Sequence, residues 1–249
     1  MPKLGYTDKQ KESLFKGIYS GAINEYNLPK NLYKSTAIVL NDGVESEFGK
    51  RDTGMLKEFK NNIYMFSAAK TFHQVLEMQT FMSLDYAEFK KKVDNTFETY
   101  NKAYLDSEYT TAVTSANNAL NYRDAINDSD LFTQLKYVAI IDKHTSDICR
   151  QLDGTIANTT DTFWHTHTPP NHFNCRCHVE KIDKYSEVKP FGPKRLEIIA
   201  EDVDQLIHPS FKNNSGITEK AFTKEHPYFR VPKKYQALAK KNFNLPIFE

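Results

Sequence analysis

Neither sign of charge dominates this sequence: 33 Lys plus Arg stand against 32 Asp plus Glu, a net charge of +1. With no global field, nothing steers the whole chain toward nucleic acid or an anionic membrane, and any contact with DNA needs a local patch. Long hydrophobic runs are missing too. The longest, residues 137–141, is far too short to span a bilayer, and residues 1–12 are polar where a signal peptide needs an apolar core. The expectation is a soluble chain made in the cytosol, with no membrane partner. Cysteine is scarce: there are three, and Cys175 and Cys177 are separated by one position, which is no framework for a disulfide-stapled domain. Internal repeats and low-complexity tracts are absent. So are His-Glu-x-x-His, a glycine-rich phosphate loop and Gly-x-Ser-x-Gly, and the chain is expected not to be an enzyme, with no catalytic residue.

Aromatic residues are plentiful at 13%, and 249 residues suffice for one or two domains with a sizeable core. Thr7 and Gln10 have the spacing of a capping box, followed by an amphipathic stripe from Leu14 to Tyr26 that ends near Pro29. A second short segment, 32–40, is expected to stop at Asn41-Asp42-Gly43. Met55, Phe59, Ile63, Phe66 and Ala69 mark a third helix running toward Phe81. Further stripes run through Tyr86, Phe89, Val93, Phe97 and Tyr100, and through Tyr109, Ala112, Ala116 and Leu120.

The period changes at Leu135. Residues 135–141 are short, β-branched and aromatic, which suits a strand buried on both faces. Turn-rich sequence dense in His and Cys follows as far as Ile182. The fold class expected is α+β: a helical arm or platform over 1–130, a small mixed domain with a Cys/His-rich loop region over 131–185, and an irregular extension over 186–249. Short helices are expected in that extension near 195–207 and 235–241. Its Lys224, Arg230, Lys233, Lys234, Lys240 and Lys241 face only Glu225 and Glu249 in sequence. Such a tail reads as a solvated face or as a contact for DNA.

Four ligands of the kind a closed structural zinc site needs are available from Cys149, Cys175, Cys177 and His172, with His178, His167 and His144 as rivals for the nitrogen. Cys-x-Cys on a regular strand would point its sulfurs to opposite faces, so Arg176 must sit in a turn or bulge if both are to bind. Competing readings are small buried hydrophobes in a tight loop, a disulfide from Cys149, a metal-dependent nuclease using the histidines, and a cysteine nucleophile with a histidine base. Around these residues, Asp153-Gly154 signals a turn and Pro169-Pro170 stiffens the approach to the cysteines. Trp164 is expected to cap the small core, and Arg176 is suited to hold Asp142 or Asp153 in a bidentate pair.

The order Asp142, Cys149, Leu152-Asp153-Gly154, Phe163-Trp164, Pro169-Pro170-Asn171, Asn174-Cys175-Arg176-Cys177-x-Val179 resembles the signature of phage Mu F-like minor head proteins, the phage head morphogenesis family. Leu105-x-x-Glu108-Tyr109-x-x-Ala112 resembles the same family's lead-in, and the likeness covers residues 100–182. Relatives carry a second cysteine or an Arg-Pro pair soon after the first aspartate, where this chain has residues 145–148. The resemblance implies a structural protein of the phage head (virion), present in few copies, bound to the portal or the major capsid protein, and acting in head morphogenesis, DNA packaging or DNA delivery. Related modules also occur at the front of polymorphic toxins.

Overall fold

The computed structural model describes residues 4–237. Helix α1 (Asp8–Tyr19) begins at the expected capping box: the Thr7 hydroxyl accepts from Gln10 N–H at 3.2 Å, and Thr7 N–H donates to Gln10 Oε1 at 2.8 Å. It ends earlier than the apolar stripe suggests, because Gly21 adopts φ +75° and turns the chain. Helix α2 (Lys30–Phe48) runs straight through Asn41-Asp42-Gly43, where a stop was expected. The turn signal is overridden because Leu40, Val44 and Phe48, spaced at four residues, are all fully buried on one face. Helix α3 (Thr53–Gln79) buries Met55, Phe59, Ile63, Phe66 and Ala69 as their spacing requires.

Helix α4 (Tyr86–Glu98), a π-helical turn (Thr99–Tyr104) and helix α5 (Leu105–Asn127) follow without a break. At the π turn, side chains compete for backbone carbonyls: Thr99 Oγ1 donates to Asn95 O at 3.0 Å and Asn101 Nδ2 to Phe97 O at 2.9 Å. Next come strand β1 (Phe132–Val138), helix α6 (Asp147–Leu152), strand β2 (Ile156–Asn158), helix α7 (Phe163–His167), strand β3 (His178–Asp183), helix α8 (Pro193–Asp204) and the short helix α9 (Ser215–Thr218). The protein is thus α+β, mostly helical with one small antiparallel sheet. No helix among the described residues is long and apolar enough to cross a membrane.

Two compact units emerge, and neither is a single stretch of sequence. The first comprises Met1–Asp42, Lys60–Tyr109 and Lys224–Glu249; the second comprises Gly43–Phe59 and Thr110–Thr223. Boundaries near 130 and 185 therefore do not coincide with the edges of these units. Helices α2, α3 and α5 each give residues to both, and the segment after Thr223 belongs with the first. The end of the helix expected at 235–241, together with Lys240, Lys241 and Glu249 of the basic tail, lies outside the described residues.

Among the described residues, the first unit contains helices and no named strand. Its core joins Leu14, Phe15 and Ile18 of α1 to Phe72, Val75 and Met78 of α3 and to Phe89, Val93 and Phe97 of α4. Within it lies a buried ion pair, Lys70 to Glu108 at 2.5 Å, with side chains 1% and 4% exposed. The turn Pro227–Phe229 packs on Phe66, and His73 Nε2 meets Tyr228 O at 2.9 Å.

The second unit carries the sheet, in the order β2-β1-β3 with both pairings antiparallel. Strand β1 lies three residues earlier than its apolar run suggests, and it is buried on one face rather than two. Leu135 and Tyr137 are fully buried while their neighbours are only partly so. Ala139 N–H is taken by Asp153 Oδ1 at 2.9 Å, which ends the pairing, and Ile140 and Ile141 emerge 40% and 55% exposed.

The outer edge of β3 is closed by a helix. Along one face of α5, Asn118 Oδ1 accepts Val179 N–H at 2.9 Å and its Nδ2 donates to Cys177 O at 3.2 Å, while Asn121 Nδ2 donates to Val179 O at 3.3 Å. Lys181 extends the line with an ion pair to Asp124 at 3.3 Å. Polar groups at helical spacing thus stand in for a fourth strand, satisfying a backbone edge that would otherwise invite pairing with another chain. An alanine at 118 would leave a buried N–H unpaired, at a cost of about 1–3 kcal/mol.

Candidate functional site

The loop after β1 and the loop before β3 meet at one end of the sheet, where Val138 pairs with His178. After β1, Asp142 Oδ1 accepts His144 N–H at 2.8 Å, and Thr145 Oγ1 donates to Ile140 O at 2.6 Å. This folded loop delivers Ser146, which caps α6 by accepting Cys149 N–H at 3.2 Å. Cys149 is thereby set on the buried side of the first turn. Before β3, the chain passes Pro169-Pro170, whose peptide bond is cis, and turns at Asn174 with φ 59°, a left-handed conformation that asparagine tolerates. Cys175, Arg176 and Cys177 follow as irregular backbone before the strand begins at His178. That irregularity answers the objection to Cys-x-Cys, because both sulfurs point inward.

The three Sγ atoms lie within 4.8 Å of one another, all buried and none in a disulfide, with Cys149 and Cys175 at 3.7 Å. His172 joins them on the Cys149 side, its Nε2 at 3.1 Å from that sulfur. The other ring nitrogen, Nδ1, is 2.7 Å from Phe173 O. Since a carbonyl can only accept, Nδ1 carries a proton, and Nε2 is the ring nitrogen that faces the sulfurs. Tyr137, on the buried face of β1, places its hydroxyl 3.3 Å from Cys149 Sγ and 3.0 Å from Asn171 Oδ1. Thr114 of α5 donates to Cys175 O at 3.0 Å, which fixes the second loop from behind.

Hydrogen bonding with Cys175 and Cys177, and then with His172, holds the Cys149 thiol far below its ordinary range. The same contact with Cys149 pushes Cys175 and Cys177 up. Burial opposes charge on His172, yet the Cys149 sulfur outweighs it and the imidazole is raised. For Tyr137, burial first and the surrounding sulfurs second drive the phenol well up. The cluster therefore favours one thiolate among donors. Its opening to solvent is a recess of only about 10 Å³, edged by Ile140, His144, Thr145 and Arg176, with room for roughly one water.

The remaining signature residues build the frame. One Arg176 Nη meets both carboxylate oxygens of Asp142, at 2.9 and 2.8 Å, so the partner is Asp142 and the contact uses a single nitrogen rather than a fork. Asp153 is engaged by Ala139, and Gly154, at φ 73°, sends its N–H to Tyr137 O at 2.9 Å. Trp164 is fully buried, and its indole N–H donates to Asn158 O at 3.1 Å. The rival histidines take other posts. His167 stacks on Phe163 at 4.6 Å, His178 lies 3.6 Å from Glu180, and His144 stands at the lip of the recess. A separate groove of about 800 Å³, lined by Gln151, Asp153, Phe191, Lys194 and Arg195 among others, contains none of the cysteines or His172. Tyr137 and Thr114 were not foreseen as parts of the site, and nothing in their local sequence distinguishes them from ordinary strand and helix positions.

This is an α+β chain whose second unit closes two turn-rich loops over a buried cluster of three cysteines and a histidine. Residues 82–180 match the family model described as Phage Mu protein F like protein, and over that stretch the chain is similar to the Mu F-like family. It is 35% identical over 78 residues to a protein of Escherichia phage Mu described as capsid assembly protein F, covering 31% of this chain and 18% of that one. It is also 33% identical over 72 residues to the Mu-like prophage FluMu F protein of Haemophilus influenzae, covering 29% and 17% respectively. The similarity thus spans less than a fifth of the length of either relative. No solved structure matches the chain.

Proposed function

We propose that this chain is a structural component of phage head assembly that acts without catalytic turnover, as a minor head protein bound to the portal or the inner face of the capsid. The observation that carries this reading is the match of residues 82–180 to the Mu F-like family, together with a relative described as a capsid assembly protein. The geometry of the signature supports the non-catalytic half of the reading. Cys149 is fully buried, and the recess above it is too small to admit a substrate, so a Cys149–His172 nucleophile pair has nothing to act on. In the first unit, Tyr26, Ile38 and Tyr64 are exposed at 61%, 59% and 42%, apolar surface of the kind an assembly partner covers.

Mass spectrometry of purified particles tests this directly. The polypeptide is expected in DNA-filled heads at a few copies per portal. Its absence from particles, while present in the lysate, would count against a virion role.

A further inference from the structure

We propose that Cys149, Cys175, Cys177 and His172 form a closed structural site for one divalent ion of the zinc class. This goes beyond the head-assembly reading and does not depend on it. The first argument is the company the sulfurs keep. A buried structural cysteine ordinarily packs among carbon atoms as a small hydrophobe, whereas these three turn their sulfurs toward one another and toward an imidazole nitrogen and a phenol. Thiols are weak donors and weak acceptors, so such a meeting gains little by itself. It is what a metal requires.

Distance supplies the second argument. Sulfurs about 2.3 Å from a tetrahedral zinc are separated by about 3.8 Å. The Cys149–Cys175 separation of 3.7 Å has that length, and it is far beyond the roughly 2.05 Å of a disulfide bond. A disulfide would in any case strand the third cysteine. The nitrogen donor is prepared in the way metal-binding histidines are, with Nδ1–H held by the Phe173 carbonyl so that Nε2 is free for the ion. Three thiolates and a neutral imidazole are the soft donor set that selects zinc over calcium or magnesium. Around them, the Tyr137 hydroxyl beside Cys149 Sγ and the Thr114 bond to Cys175 O supply the outer support that fixes such ligands.

The third argument concerns what the ion is for. Cys149 comes from the first turn of α6, which follows β1, and the other three ligands come from the loop before β3, so one ion ties together the two segments next to the sheet. The small recess leaves no open coordination position of the kind a catalytic zinc keeps for substrate.

The full-length chain, purified without chelators, is expected to carry one zinc by elemental mass spectrometry. Iodoacetamide is expected to spare all three cysteines until a strong chelator is added, and their protection returns when zinc alone is restored. His172→Ala, which leaves the three sulfurs in place, is expected to weaken zinc binding at least tenfold in a chelator competition. The unaltered chain decides the matter even if that variant misfolds. Substoichiometric zinc with thiols whose alkylation rates ignore both chelator and added zinc, or a Cys149–Cys175 disulfide in the mass spectrum, would overturn the site without touching the head-assembly reading.

Discussion

Glu108→Ala is expected to destabilise the first unit by about 3–5 kcal/mol, because it strands the buried Lys70 ammonium without the carboxylate it is bonded to. Both partners show the strain of burial. Desolvation pushes Glu108 up and Lys70 down, each against the attraction of the other, and Tyr228 adds a hydrogen bond to the carboxylate. Removing both charges together has a different outcome. Lys70→Met with Glu108→Leu keeps volume while deleting the desolvation cost, and is expected to be near neutral or stabilising. Urea unfolding of Glu108→Ala measures the first effect, and unfolding of Lys70→Met, Glu108→Leu and the double variant, combined as a thermodynamic cycle, measures the second. A Glu108→Ala cost below about 1 kcal/mol, the range of an exposed pair, would show that the pair is solvated.

Trp164→Ala is expected to cost a further 3–5 kcal/mol or so in the second unit, since a fully buried indole leaves a cavity and an Asn158 carbonyl without its donor. The backbone at this position stays anchored in the variant, because Trp164 O accepts from Thr168 Oγ1 at 2.6 Å and from Asn214 Nδ2 at 3.0 Å. The loss is therefore one of packing and of a single hydrogen bond. Trp164→Phe, which keeps most of the ring volume, is expected to cost less than half as much. Circular dichroism during denaturation reads both variants, and equal costs for Ala and Phe would mean that packing is not what this side chain contributes.

Much of this architecture was legible because its causes are local. Thr7 and Gln10 announce the start of α1, and the four- and three-residue steps of Phe59, Ile63 and Phe66 declare the buried face of α3. The cysteines and His172 could be grouped because the turns that bring them together are written beside them. What stayed hidden depends on distant partners. Gly43 reads as a turn until the burial of Val44 and Phe48 overrides it, and the β1 run reads three residues late until Asp153 captures Ala139 N–H. Nothing in the local sequence singles out Asn118 and Asn121. Their work is to bond an edge strand some 60 positions away, which no periodicity encodes. The interleaving of the two units is hidden for the same reason, because residues such as Tyr228 and Phe229 find their contacts in α3 and near Glu108.

Two segments at the same end of the three-stranded sheet, one following β1 and one leading into β3, meet in a buried cluster with the donor set of a structural metal site. X-ray absorption at the zinc edge of the metal-loaded chain reads that donor set. Three sulfurs at about 2.3 Å and one nitrogen at about 2.0 Å is the result expected. A first shell dominated by oxygen, or one with a single sulfur, would contradict it.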